Sequence, residues 1–297
     1  MSIIERAMRQ QNGESLPPAG VESPATVGSE AVFEAGAAST PPPARAPALT
    51  LDFAQLGRLG YLVPGDPAAR LSEEFQQVKR RLIGNTVPGM LAGRRPPNLV
   101  MLTSAIPGEG KTYATMNLAL SIAMEIDRRV LAIDSDIMKS DLSRLFGAWN
   151  RPGLYDLLVH PEIDAGEVIS RTNLPGLTFM PAGTVREGIT ERLASQAMVR
   201  LAGELAARYP DRLIVFDAPP VLAMSGAAAL APLIGQVVLV VEAGRTSREM
   251  LTRTLAALEH TEITGVLLNK LRHRPAGSVY GYSYAYGAGQ SPALTAS

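Results

Sequence analysis

Asn98-Leu-Val-Met-Leu-Thr-Ser-Ala-Ile-Pro-Gly-Glu-Gly-Lys-Thr112 is the stretch on which the fold turns. Its uncharged run Leu99 to Thr103 reads as a buried strand, the Pro-Gly-x-Gly segment as a loop, and Lys111 onward as the first turn of a helix. From Ala105 the spacing is A-x-x-x-x-G-K-T, a phosphate-cradling pattern with Ala in place of its first Gly. Glycines at 108 and 110 let the backbone come close to an anion and aim N–H groups at it, while the helix start adds the positive end of its dipole. Pro107, Gly108, Glu109, Gly110, Lys111, Thr112 and Tyr113 are therefore expected to line a nucleotide phosphate site. Lys111 is placed to reach the β- and γ-phosphates, and the Thr112 hydroxyl to bind Mg²⁺. The same turn could be a plain tight connection, but strand, spacing, Lys and Thr all occur together.

Outward from this stretch the chain repeats one theme. Aliphatic runs at Leu99 to Thr103, Val130 to Asp134, Leu177 to Pro181, Leu213 to Asp217, Val237 to Glu242 and Gly265 to Asn269 read as strands. Helical spacings fall at Thr112 to Ile126, Asp141 to Phe146, Ile189 to Tyr209 and Ser247 to His260. Continuous apolar strands alternating with helices imply an α/β, P-loop NTPase-like fold, a mainly parallel sheet with helices on both faces. Ligands of such sheets sit at the carboxyl ends of the strands. Asp134 and Asp136 follow one strand and Asp217 another, so all three acids should reach the edge that carries the loop. Magnesium takes oxygen ligands and keeps waters, so Thr112, one or two of these carboxylates and the phosphates suffice to hold it. Taken singly, a strand-terminal Asp is more often a helix cap or turn former.

The remaining composition sets bounds. Lys plus Arg equals Asp plus Glu at 28 each, so no global field draws in nucleic acid or an anionic membrane. Cysteine is absent, which excludes disulfides and thiolate chemistry. The opening residues lack a secretory core and the most apolar run, Ala227 to Val241, is short and interrupted; these features read as a cytoplasmic protein. Residues 1–11 form a short amphipathic segment and 12–59 an Ala/Pro-rich linker expected to be disordered. The nucleotide domain is expected over 60–275 and a flexible tail over 276–297. A helix starting near Ser72, which can cap it, presents Phe75, Val78 and Leu82 on one face and Gln77, Lys79, Arg80 and Arg81 elsewhere. Four of the eight tyrosines, Tyr280, Tyr282, Tyr284 and Tyr286, alternate with small residues in the tail, read either as a flexible acceptor segment or as an edge strand.

The loop 105–112, Asp134-Ser-Asp136 and Asp217-Ala-Pro-Pro220 together resemble the Walker A, A′ and B motifs of bacterial tyrosine kinases, the BY-kinases. Glu74-Phe-Gln-Gln-Val-Lys-Arg80 is similar to that family's ring-assembly helix, with Gln77 where the family has Arg, and Tyr280 to Tyr286 to its tyrosine cluster. SIIERAM, EEFQQVKRRL and PGEGKT are most similar to exosortase-associated tyrosine autokinases of exopolysaccharide operons. The resemblance implies an ATP- and Mg²⁺-dependent autokinase acting in trans on its own tail. Lys111 would neutralise developing charge, Asp134 help activate the tyrosine hydroxyl, Asp136 and Asp217 support the metal, and Asn269 contact the adenine edge. It also implies a homo-oligomeric ring with contacts at Glu74 and Arg80, and recruitment to the membrane by a separate chain-length regulator. A rival reading is an ATPase switch like the partition and septum-site proteins, whose second Lys early in the loop is missing between Ser104 and Glu109.

Overall fold

A computed structural model describes residues 46–65, 69–86, 95–184, 187–259 and 261–271. Seven strands make one sheet: β1 Leu99–Ser104, β2 Arg129–Asp134, β3 Ser170–Arg171, β4 Leu177–Met180, β5 Arg212–Asp217, β6 Gln236–Glu242 and β7 Ile263–Asn269. Their order is β3-β4-β2-β5-β1-β6-β7, parallel throughout except for the short β3. Every residue of β1 is buried, as expected for a strand covered on both faces. Alternate residues serve opposite cores. Leu99, Met101, Leu131, Ile133, Ile214 and Phe216 face one side; Val100, Leu102, Val130, Ala132, Leu213 and Val215 face the other.

On the second face lie α1 Phe53–Arg58, α2 Ala69–Gly84, α3 Lys111–Ala123 and α4 Asp141–Leu145. On the first lie α5 Leu154–Val159, α6 Ala165–Val168, α7 Ile189–Leu193, α8 Gln196–Arg208 and α9 Gly226–Leu230, with α10 Arg248–Ala257 following β6. The fold class read from the sequence is thus the observed one. Several local expectations are corrected. The single helix over 189–209 is two, because Ser195 accepts from Met198 N and starts a new helix after α7. Helix α2 begins at Ala69, so Ser72 lies within it and accepts from Gln76 Nε2 instead of capping. Lys79, which the pattern places off the apolar face, is itself buried, donating to Ser121 O and pairing with Glu125 at 2.6 Å.

The linker also ends earlier than 59. Leu49 N donates to Arg171 O, Leu51 N to the Asn173 side chain and Leu62 N to Asn117 Oδ1, while Leu49, Leu51 and Leu56 enter the core. Three leucines among small residues suffice, since each buried leucine contributes roughly 1.5–3 kcal/mol. Strand β7 differs in another way: it forms the rim of the sheet, and Val266 and Leu268 are 63% and 51% exposed. Residues 1–11, the linker up to 45, His260, His273 and the tyrosines 280–286 lie outside the described residues.

Candidate functional site

The loop between β1 and α3 is built by its own glycines. Gly108 and Gly110 have φ of 89° and 94°, a region other residues adopt only with strain. A side chain at 110 would also collide with Asn269 Nδ2. Glu109, expected to line the phosphate site, turns its side chain inward: Oε2 accepts from Ile106 N at 2.8 Å and Oε1 from the Thr246 hydroxyl. Its carboxylate is a fully buried strut of the loop, and only its backbone N–H can serve an anion. None of the hydrogen bonds among the described residues takes up the N–H of Glu109 or Gly110. The Tyr113 hydroxyl donates to Gly60 O and its ring lies 5.1 Å from that of Tyr61.

The acids converge on the loop as their strand-end positions require. Parallel pairing places Asp134 beside Asp217 in register. Lys111 Nζ lies 2.7 Å from Asp136 Oδ2 and 3.9 Å from Asp217 Oδ1, and Thr112 Oγ1 donates to Asp217 Oδ2 at 2.7 Å. Thr115, which sequence spacing did not single out, adds a hydroxyl 3.3 Å from Asp217 Oδ1. Asp136 Oδ2 is buried and has no hydrogen-bond donor besides that ionic neighbour. Burial opposes the charge of Lys111, but Asp217 and Asp136 outweigh it and push the ammonium up to about 12. Burial raises Asp217, although Lys111 and Thr112 pull the other way.

Asp134 is fully buried behind this group. Its Oδ1 accepts from Asp136 N at 3.1 Å, and its Oδ2 from Ser143 N and Ser143 Oγ at 2.8 and 2.7 Å. Ser143 belongs to α4, so Asp134 fastens the start of that helix to the end of β2. Burial and the neighbouring Asp217 push its carboxyl up to about 7, against the pull of Ser143. The residues fit a nucleotide and its metal. Two N–H groups without acceptors, a lysine, a threonine hydroxyl and an orphaned carboxylate oxygen meet at one strand edge, where phosphates and water would complete a magnesium shell. Among the described residues no cluster of three or more acids, His or Cys could hold a metal unaided.

Asn269 Nδ2 donates to Glu109 O at 2.8 Å, so its amide is engaged with the loop itself. Glu74 and Arg80 are exposed on α2, with Glu74 in an i,i+4 pair with Arg70. A cavity of about 440 Å³ opens beside Thr112, bordered by Leu56, Tyr61, Asp141 and Arg144.

A strand, glycine loop and helix with acids at two neighbouring strand ends define a P-loop nucleotide-binding protein, and residues 100–280 match the CobQ/CobB/MinD/ParA nucleotide binding domain, the family to which the chain belongs. Within it, the chain falls among the bacterial tyrosine kinases. It is 32% identical to the VpsO kinase domain, covering 67% of this chain and 97% of that one at a TM-score of 0.55. The kinase domain of Escherichia coli ETK is 25% identical, over 80% and 94% of the two chains, at a TM-score of 0.62. EpsB of Ralstonia nicotianae is 37% identical over 192 residues, which are 64% of this chain and 25% of EpsB. The chain thus spans about a quarter of that relative's length. Tyrosine-protein kinase YwqD of Bacillus subtilis is 29% identical over 73% of this chain and 88% of its own.

Proposed function

We propose that the chain is an ATP-dependent protein-tyrosine autokinase that phosphorylates Tyr280, Tyr282, Tyr284 and Tyr286 of another copy and so regulates exopolysaccharide synthesis or export. The observation that carries this reading is the convergence of Lys111, Thr112, Asp136 and Asp217 at the mouth of one glycine loop. Bound Mg²⁺ would supply charge neutralisation on the phosphates. For its part, Lys111 leaves Asp136 to meet the phosphate oxygens, and Thr112 with Asp217 offers oxygens to the metal. An incoming phenol enters through the cavity beside Thr112; its oxygen bonds to the γ-phosphorus as the β–γ bridge breaks, releasing ADP. The resemblance gives the phenolic proton to Asp134. Geometry favours Asp136, since both Asp134 oxygens are already occupied by donors while Asp136 Oδ2 has only Lys111 before it. Asp134 then acts behind it, holding the end of β2 to α4.

The kinship with tyrosine kinases supports the reaction, and the exposed Glu74 and Arg80 on α2 are compatible with the ring contacts proposed for them. A chain-length regulator in the membrane is the proposed activating partner; among the described residues no helix is long and apolar enough to cross a membrane. Purified chain incubated with ATP and Mg²⁺ should acquire phosphate on Tyr280 to Tyr286. The label should vanish in Lys111→Met and in the variant with all four tyrosines replaced by Phe. Hydrolysis of ATP without protein labelling would favour the ATPase switch instead.

A further inference from the structure

The phosphate loop is held from outside by the chain that leaves β7. Lys270 adopts φ 57°, one of only two non-glycine residues at positive φ among those described. This left-handed turn brings its ammonium back over the loop, where Nζ donates to Gly108 O at 2.6 Å and meets Glu242 Oε2 at 3.1 Å. Arg245 pairs with the same Glu242 oxygen at 3.0 Å, fixing the carboxylate that steers Lys270. One residue earlier, Asn269 takes the next loop carbonyl, that of Glu109. In a trans peptide the carbonyl and the following N–H point in opposite directions. Drawing the carbonyls of 108 and 109 outward therefore turns the N–H groups of Glu109 and Gly110 to the other side of the loop.

We propose that Lys270 is a positioning residue of the nucleotide site, holding the Gly108–Glu109 peptide plane so that the following amides face the phosphates. It acts through the backbone and touches no phosphate itself. The inference rests on the nucleotide reading given above and adds to it a residue outside every motif of the loop.

Nucleotide affinity of the full chain, measured by calorimetry with ATP, ADP and adenosine, tests it alongside thermal melting without nucleotide. In Lys270→Met the dissociation constants for ATP and ADP should rise together, by about five- to tenfold for a half-exposed charged hydrogen bond, with adenosine unchanged. Lys270→Gly accommodates φ 57° without strain, so it should melt no lower than the parent and yet lose the same affinity. Lys270→Arg, which keeps a donor, should recover most of it. Unchanged affinity in Lys270→Met and Lys270→Gly overturns the proposal. So does a loss confined to ATP, which would mean direct contact with the γ-phosphate, or a loss that merely follows a fall in melting temperature. Failure of the unaltered chain to bind ATP or ADP would overturn the nucleotide reading as well, and is seen before any variant is compared.

Discussion

Ser143 shows how much of the site depends on residues that no motif marks. Its N–H and hydroxyl both serve Asp134, and the hydroxyl also accepts from Ala182 N, joining the end of β2 to α4 and to the chain after β4. Removing the hydroxyl withdraws a donor that favours the ionised carboxylate, so Ser143→Ala should push Asp134 further above its present value near 7. The decline in melting temperature with rising pH should then extend to higher pH by about half a unit or more; an unmoved decline would detach Asp134 from the titrating group. Gly110→Ala should abolish nucleotide binding while leaving a folded chain, because its Cβ would meet Asn269 and its φ of 94° disfavours any side chain. Calorimetry with ADP and circular dichroism together check both halves of that statement. From sequence, Lys111, Thr112 and the three acids were legible because strand ends and loop spacing fix where backbones lead. The inward turn of the Glu109 side chain was not legible because spacing fixes where the backbone leads and not where a side chain points, and Ser143 and Lys270 act only through folded neighbours.

At the level of elements, the sheet was readable because its strands are continuous aliphatic runs, whereas short helices such as α5 and α6 offer too few turns for a periodic signal. Residues 49–59 were read as linker because their surroundings are Ala, Pro and Gly, yet the stretch from 49 to 62 wraps α3 and the β3 edge. Asn117 and Asn173 hold it by hydrogen bonds to Leu62 and Leu51. A chain beginning at Gly60 loses the burial of Leu49, Leu51 and Leu56 and should be less stable by roughly 4 kcal/mol or more, taking partial burial in the unfolded chain into account. Urea denaturation of the two lengths measures the difference, and equal midpoints would count against the packing described.

Across the whole molecule, buried acids make stability depend on pH in an uncommon direction. Asp134 and Asp217 are both raised, so the folded chain keeps protons that the unfolded chain releases, in the case of Asp134 between about pH 4 and pH 7. Stability contributed here is greatest at the acidic end of that window and declines as pH rises through it. Lys111 works on another range: its raised ammonium stabilises below the ordinary lysine value and is lost as pH climbs through about 12. Without nucleotide, the melting temperature should therefore be several degrees higher at pH 5.5 than at pH 8. Scanning calorimetry at both values decides it, and a higher value at pH 8 would mean that the acids ionise freely in the folded chain.

Because the tethers on the phosphate loop descend from β7, the most weakly sheltered strand of the sheet, grip on a ligand and fraying of that border are one equilibrium seen from two ends. Saturation with ADP should slow deuterium uptake along residues 263–271 as well as in the loop, and any partner that lifts this border would loosen the nucleotide from a distance.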